Sequence, residues 1–327
     1  MPTLPAYVYA AAFVAAFMGA GLSLPLWRRW CRNAGVVDEP GPRKLHGGSI
    51  PLAGGLAVFT GFLLPVAGGL LAASIGLLPD TVTEKILYGF RQRWLTLVVM
   101  VGGALAMGGL GWLDDLYELS PGKKFAGQCV IAAVAAALGE RITLFIPNAW
   151  VQIGLTTFWL VAVTNAFNLS DNMNGLCTGL AAVAALFFSL QGLLHGYYLV
   201  ALISLSMAGA ALGFLPFNYP RATAFLGDSG SHGLGFLLAS LAVVPHYYAP
   251  EHSHPLAVLS PLFILAIPLI DMGFVMVTRL ARGQPIYQGD NRHLSHRLAE
   301  KTGSPVVAVA ILLGCGVAGG LLATLLW

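Results

Sequence analysis

Charge is scarce in this sequence. Of 327 residues, 9% are charged and 57% are apolar, where ordinary soluble domains carry roughly 25% charged residues. So few charges cannot cover the surface of a 34.3 kDa globule in water. That excludes a cytosolic enzyme, a nucleic-acid binder and a disordered chain. A dominant sign of charge is also missing. Seventeen Lys and Arg face 14 Asp and Glu, and the net charge of +3 gives no reason to expect a polyanion partner. Paired cysteines are lacking as well. Cys31, Cys129, Cys177 and Cys315 are scattered with no CxxC, so neither a disulfide framework nor a zinc site is expected, and buried free thiols are the default.

Long apolar runs are what the chain has instead. A spanning helix needs about 20 apolar residues. Ten stretches approach that length: residues 6–27, 51–73, 94–113, 125–139, 151–166, 177–193, 198–216, 231–248, 256–278 and 305–326. The first is not a cleaved secretory signal, since no Lys or Arg precedes it and Arg28, Arg29 and Arg32 follow it. The 40 glycines suit closely packed membrane helices, and Gly209–Gly213 and Gly316–Gly320 have GxxxG spacing. The expected fold class is all-α: a polytopic membrane protein of about ten transmembrane helices, one integral-membrane domain over residues 1–327.

Basic residues orient it. Taken alternately, one set of loops holds Arg28, Arg29, Arg32, Arg43, Lys44, Lys123, Lys124, Arg221, Arg279, Arg282, Arg292, Arg297 and Lys301; the other holds Lys85, Arg91, Arg93 and Arg141. The positive-inside rule makes the first set cytoplasmic and places both termini on the extracytoplasmic side. Asp38, Glu39, Asp114, Asp115, Glu118, Asp171, Asp228, Asp290 and Glu300 fall on the same inner face. Chemistry is therefore expected there.

Five inner loops carry it. DEPGPRKLHGGSIPLAGG (38–55) frames Arg43, Lys44 and His46 with prolines and glycines, which hold a defined loop where a bare topology anchor would not need one. GWLDDLYELSPGKKF (111–125) ends an apolar run on Asp114 and Asp115. Adjacent carboxylates there repel and resist desolvation, so a cation or a wet cavity is expected beside them, and Lys124 follows nearby. TNAFNLSDNMNGLCTGL (164–180) spaces Asn165, Asn168 and Asp171 three apart, along one face of a helical turn. Their oxygens suit Mg²⁺, a hard cation that keeps phosphate and water as partners. FNYPRATAFLGDSGSHGLGF (217–236) sets Asp228 between glycines at a helix start, where it is either a metal ligand or an N-cap, with Phe225 near enough to stack on a base. RLARGQPIYQGDNRHLSHRLAEKTGS (279–304) clusters Arg292, His293, His296 and Arg297, a phosphate clamp in preference to a zinc pair. Outside these loops, His246, His252 and His254 read as solvated. Asp271, costly within a span, is expected either to pair with Arg279 or a neighbouring helix or to react.

Oxygen ligands, a lysine and a His/Arg clamp on one membrane face are the inventory of phosphoryl transfer between a lipid-borne and a water-soluble substrate. A secondary transporter using Asp271 and Asp114 would need internal hydropathy repeats and broken mid-membrane helices. No such repeat is visible. DEPGPRKLHGGSIPLAGG, LDDLYELSPGKK, NAFNLSDNMNGL, FLGDSGS and DNRHLSHRL, in this order, resemble the motifs of the polyprenyl-phosphate N-acetylhexosamine-1-phosphate transferases, the MraY/WecA-like family.

The resemblance implies transfer of a sugar 1-phosphate from a UDP-N-acetylhexosamine to undecaprenyl or another polyprenyl phosphate. UMP is released, with Mg²⁺ (or Mn²⁺) as cofactor. It implies a bacterial inner membrane, contact with membrane lipids, no nucleic acid, and is compatible with a homodimer. By motif, Asp228 and Asn168 would hold Mg²⁺ and diphosphate, with Asp171 beside the metal or nucleotide. Asp114 and Asp115 would be the essential acidic pair, Asp115 a base for the lipid phosphate. Lys124 would hold diphosphate. Phe225 would stack on uracil, with Asn174 and Gly175 nearby. Arg292, His293, His296 and Arg297 would surround phosphates or the amino sugar, His293 as a catalytic group. Asp171-Asn172 stands where Asp-Gly is usual, and His232 after GDSGS has no counterpart in the pattern. HLSH replaces the triple-His run of the MurNAc-pentapeptide branch, which points to the WecA/TagO-like branch and UDP-GlcNAc.

Overall fold

The protein is described here from a computed structural model. It describes residues 4–39, 48–143, 146–245, 247, 255–285 and 293–327. Arg43, Lys44, His46 and Arg292 lie outside them, as do His246, His252, His254 and Asp290.

Each of the ten apolar runs forms helix. In chain order come α1 (Ala6–Asn33), α2 (Gly54–Ser74), α3 (Asp80–Tyr117), α4 (Pro121–Ala137), α5 (Ala149–Ser170), α6 (Leu176–Leu194), α7 (Tyr198–Asn218) and α8 (Gly227–Leu241). A 3₁₀ turn (Pro255–Leu259) then leads into α9 (Ser260–Ile264), α10 (Ala266–Leu280), α11 (Leu294–Thr302) and α12 (Pro305–Leu326). Seven of these are long and apolar enough to cross a membrane, or eight if the pair meeting at a 74° bend near Leu265 is one span. The chain is thus a multi-pass all-α membrane protein. α4, with 17 residues, and α8, with 15, fall short of a full crossing by length. One small departure from all-α is a two-stranded antiparallel ribbon, β1 (Val37–Asp38) against β2 (Ile50–Pro51), with Val37 opposite Pro51.

α3 corrects one expected loop. Its 38 residues include Lys85, Arg91 and Arg93, read from sequence as lying between spans. Arg93 leaves helical geometry (φ −127°), so the helix breaks where the apolar run begins. The preceding segment is anchored by Val82 and Ile86, buried with Leu4, Tyr9, Ala73 and Ala201.

α8 is the centre of the molecule. All its residues but Asp228 are buried, between α3, α5, α2 and α6. Its small residues allow this enclosure: a Cβ at Gly233 would lie 2.1 Å from the Phe59 ring and one at Gly235 would lie 2.8 Å from the Thr164 backbone. Outer helices face lipid, with Leu22 and Leu26 of α1 and Leu325 of α12 exposed. The first GxxxG pair works by close approach. A Cβ at Gly209 would lie 2.3 Å from the carbonyl oxygen of Phe13, and one at Gly213 would lie 2.2 Å from that of Phe17, so α7 meets the α1 backbone directly. The four cysteines are free. Cys31 and Cys177 are buried as expected, whereas Cys315 is exposed and Cys129 half-buried, because both lie on helix faces turned outward.

Candidate active site

Four helix ends converge at one end of the bundle. The last turn of α3 supplies Asp114 and Asp115, the first turn of α4 Lys124, the last turn of α5 Asn168, and the first turn of α8 Asp228. Lys124 Nζ sits between two carboxylates. It lies 2.8 Å from Asp114 Oδ2 and forms a short contact with Asp228 Oδ2. Asn168 Nδ2 donates to Asp228 Oδ1 (2.8 Å) and to Ser231 Oγ (3.1 Å). The other oxygen of Asp114 accepts from the Leu119 N–H (2.7 Å), which fixes the chain as it leaves α3.

Asp115 does something different from its neighbour. Its two oxygens accept from the backbone N–H groups of Asp228 (2.9 Å) and Ser229 (3.0 Å). A carboxylate there satisfies two of the donors that a helix start leaves without partners and faces the positive end of the α8 dipole. Asp115, expected as a base, is in this geometry the group that seats Asp228. The glycine four residues earlier shares that helix face. A Cβ on Gly111 would lie 2.2 Å from the Asp228 carbonyl oxygen. Gly227 adopts φ +74°, and a Cβ there would meet Asp115 Oδ2 at 2.9 Å.

The first inner loop contributes through its glycines. Gly54 and Gly55 at the start of α2 donate to the carbonyls of Phe225 (2.8 Å) and Leu226 (2.9 Å), and Phe225 N donates to Pro51 (3.0 Å). A Cβ on Gly55 would meet Ser229 Oγ at 2.3 Å. The PLAGG and GDSGS segments are therefore docked backbone to backbone, with the Phe225 ring half-buried beside them.

The loop between α5 and α6 holds Asp171, Asn172, Asn174 and Gly175. Desolvation and the carboxylates of Asp228 and Asp115 push Asp171 up to about 8. Gly175 takes φ +77° and donates to Asn218 Oδ1 (2.7 Å), and Asn174 Nδ2 reaches the Pro220 carbonyl (3.3 Å). Asn165 does not join the cluster. Its amide donates to Gln128 Oε1 (2.7 Å) on α4, a packing contact. His232 takes a position beneath the cluster. Buried in α8, its Nδ1 lies 2.6 Å from the Asp228 carbonyl oxygen, and since a carbonyl only accepts, Nδ1 carries the proton.

The final loop forms a second group. Asp271 pairs with His293, not with Arg279: its Oδ2 is 2.7 Å from His293 Nδ1, while Oδ1 accepts from Leu294 N (2.7 Å). Arg279 instead donates to the Pro285 carbonyl (2.9 Å). Ser295 Oγ donates to Asn172 Oδ1 (2.6 Å), tying α11 to the loop next to Asp171. Arg297 lies over the Phe274 ring of α10, 4.5 Å from its centre. Burial and the neighbouring His293 lower the pKa of His296.

Asp114 and Asp228 share the single ammonium of Lys124, with the carboxyl groups of Asp115 and Asp171 close by, an excess of acidic groups that a divalent cation would relieve. Among the described residues no three His, Cys, Asp or Glu side chains close on one point. That donor set fits Mg²⁺, which takes one or two protein carboxylates and completes its shell with phosphate and water. Gly111, Ser231 and Asn218 were not singled out from sequence. Their roles depend on which helix they meet, and only the glycines and amides near the motifs hinted at them.

Comparison with known proteins places this architecture. Residues 97–246 match the family model described as glycosyl transferase family 4, a stretch that includes the acidic pair, Lys124, the amide loop and Asp228. The chain is 30% identical over 88% of its length to a Bacillus subtilis protein named as a probable undecaprenyl-phosphate N-acetylglucosaminyl 1-phosphate transferase, covering 76% of that protein. It is 35% identical over 84% of its length to the Mycobacterium tuberculosis decaprenyl-phosphate N-acetylglucosaminephosphotransferase, covering 71% of it. Against the Escherichia coli undecaprenyl-phosphate alpha-N-acetylglucosaminyl 1-phosphate transferase the identity is 27%, over 86% of this chain and 74% of that protein. A multi-pass helical enzyme with a cationic–acidic site at one helix-end cluster is the class defined by fold and site. The chain belongs, within it, to the polyprenyl-phosphate N-acetylglucosamine-1-phosphate transferase family, on its WecA/TagO-like branch.

Proposed function

We propose that this protein transfers N-acetylglucosamine 1-phosphate from UDP-N-acetylglucosamine to a polyprenyl phosphate, undecaprenyl phosphate foremost, at the cytoplasmic face of a bacterial inner membrane. An oxygen of the lipid phosphate attacks the sugar-linked phosphorus, the bond from that phosphorus to the bridging oxygen breaks, and UMP leaves. The observation that carries this reading is the Asp114–Lys124–Asp228 bridge with Asn168 on its far side: a cation held between carboxylates where a diphosphate and a metal would share charge.

Bound Mg²⁺, or Mn²⁺ in its place, would neutralise phosphate charge and orient the leaving UMP; Asp228 and Asn168 would hold it, with Asp171 beside them. Lys124 neutralises charge developing on the diphosphate. Asp115 keeps the α8 terminus, and hence Asp228, in register. Phe225, Asn174 and Gly175 line the route for the nucleotide. This reading takes ten crossings with both termini outside, which would put each motif on the helix ends that meet here. The MurNAc-pentapeptide alternative is less well supported, since HLSH stands in place of triple His.

The test uses purified protein in lipid nanodiscs with undecaprenyl phosphate and UDP-N-acetylglucosamine. UMP release should require both Mg²⁺ and the lipid phosphate, and Asp228→Asn should abolish it while the protein stays folded. Release that persists in chelator, or an active Asp228→Asn, would contradict the assignment.

A further inference from the structure

Asp271 belongs to none of the five motifs, yet it is buried in α10 with both oxygens committed to the start of α11. A buried carboxylate is costly unless its hydrogen bonds are met. Here they are met by one imidazole and one backbone N–H. Two residues of α10 three apart, Asp271 and Phe274, hold His293, which caps α11, and Arg297, one turn further on. The spacing puts the α10 pair on one helix face. Ser295 then fastens the same turn to Asn172, beside the acidic cluster.

Asp115, expected as the base, and the two carboxylates beside it are engaged elsewhere. Asp115 caps α8 with both oxygens, and Asp114 and Asp228 are bridged by Lys124. His293 remains, and its ring is oriented by a third group, the arrangement that an activated imidazole requires.

Resting on the transferase reading, we propose that Asp271 is a positioning residue that fixes His293 with its proton on Nδ1, leaving Nε2 as the acceptor for a substrate proton. The donor this reaction supplies is the lipid phosphate monoester, which still carries a proton near its second pKa of about 6. Nε2 takes that proton, Asp271 stabilises the resulting imidazolium, and the dianionic phosphate attacks.

Nitrogen-15 labelling of histidine reports the tautomer directly. In the unaltered protein in nanodiscs at pH 8, the His293 signals, assigned by their loss in His293→Gln, should be those of the Nδ1–H form. An Nε2–H form overturns the proposal whether or not any variant folds. Asp271→Asn preserves shape but offers an amide N–H to Nδ1, so the tautomer should invert and kcat should fall by about 10²-fold, the upper range for groups that orient a functional imidazole, with KM for the UDP-sugar within about threefold. In the His293→Gln background, Asp271→Asn should cost nothing further. Full additivity, or an Asp271→Asn protein within twofold of normal activity, refutes the assignment. Failure of the unaltered protein to release UMP would sink the transferase reading instead, and the tautomer spectrum would still report whether Asp271 holds the His293 proton on Nδ1.

Discussion

Replacing Gly111 with alanine adds one methyl group to α3, on the face that carries Asp115. That methyl would sit 2.2 Å from the carbonyl oxygen and 2.4 Å from the carbonyl carbon of Asp228, and 2.7 Å from the Ser229 nitrogen. All three are backbone atoms of α8, so no side-chain rotation relieves the clash. Ordinary carbon–oxygen approach is about 3.3 Å or more, so the helices must separate by roughly 1 Å. The stability cost of such overpacking is about 1–3 kcal/mol. The cost to catalysis is larger in proportion, because a displacement of about 1 Å at the reacting centre is worth about 10²-fold in rate. Gly109 provides the control. It lies two residues away on the same helix with nothing within 4 Å of its Cβ position, and alanine there favours helix by about 1 kcal/mol. UMP release and the thermal midpoint in detergent are measured for both. Gly111→Ala should lose about 10²-fold in kcat with a lowered midpoint, and Gly109→Ala should match the parent. A Gly111→Ala protein within threefold of the parent, with unchanged stability, would refute the claim that α3 positions Asp228 by backbone contact.

Other expectations follow from the same geometry. Lys124→Ala leaves Asp114 and Asp228 facing each other without a counter-charge. The full cost of breaking a buried pair is about 3–5 kcal/mol, but Asp228 is 31% exposed, so chemical denaturation in detergent should show a loss of about 2 kcal/mol alongside lost turnover. Glu140, buried in the loop between α4 and α5 and bonded to Ser240 Oγ (3.1 Å), is pushed by burial up to about 7. Its folded pKa lies above its unfolded one, so its contribution is fully present below about 4.5 and is lost as pH rises through 7, by about 3 kcal/mol. Glu140→Gln should therefore melt higher than the parent at pH 8 and flatten the dependence between pH 5 and 8. Asp171, pushed up to about 8, must ionise to help hold a cation. Mg²⁺ affinity, read by titration calorimetry, should tighten towards tenfold per pH unit below 8, and Asp171→Asn should remove that slope.

Much of this was legible in the sequence, and the limits have physical causes. Hydropathy located all ten apolar runs because lipid demands continuous apolar surface. It missed the segment of α3 before Arg93, whose Lys85 and Arg91 look like loop although Val82 and Ile86 bury one face. Five inner loops were read as one site because oxygen ligands and counter-charges have no reason to gather at a lipid boundary otherwise, and Asp114, Lys124, Asn168 and Asp228 do meet. Spacing alone could not tell Asn165 from Asn168. Both lie on one face of α5, yet the first meets Gln128 and the second Asp228. Nor could it distinguish the tasks of adjacent carboxylates: a helix turn of about 100° per residue sends Asp114 to Lys124 and Asp115 to the α8 terminus. Asp271 is costly within a span and calls for a partner on its own helix or a neighbouring one; hydropathy cannot choose between them, and the structure supplies His293, at the start of the next helix, in place of Arg279.

The mass of the lipid product tests the central claim most directly. Purified protein is given undecaprenyl phosphate, Mg²⁺ and an equimolar mixture of UDP-N-acetylglucosamine and UDP-MurNAc-pentapeptide. The account predicts undecaprenyl diphosphate carrying one N-acetylglucosamine, with UMP formed in equal amount. A lipid carrying the pentapeptide sugar, a lipid monophosphate sugar released with UDP, or no modified lipid would contradict it.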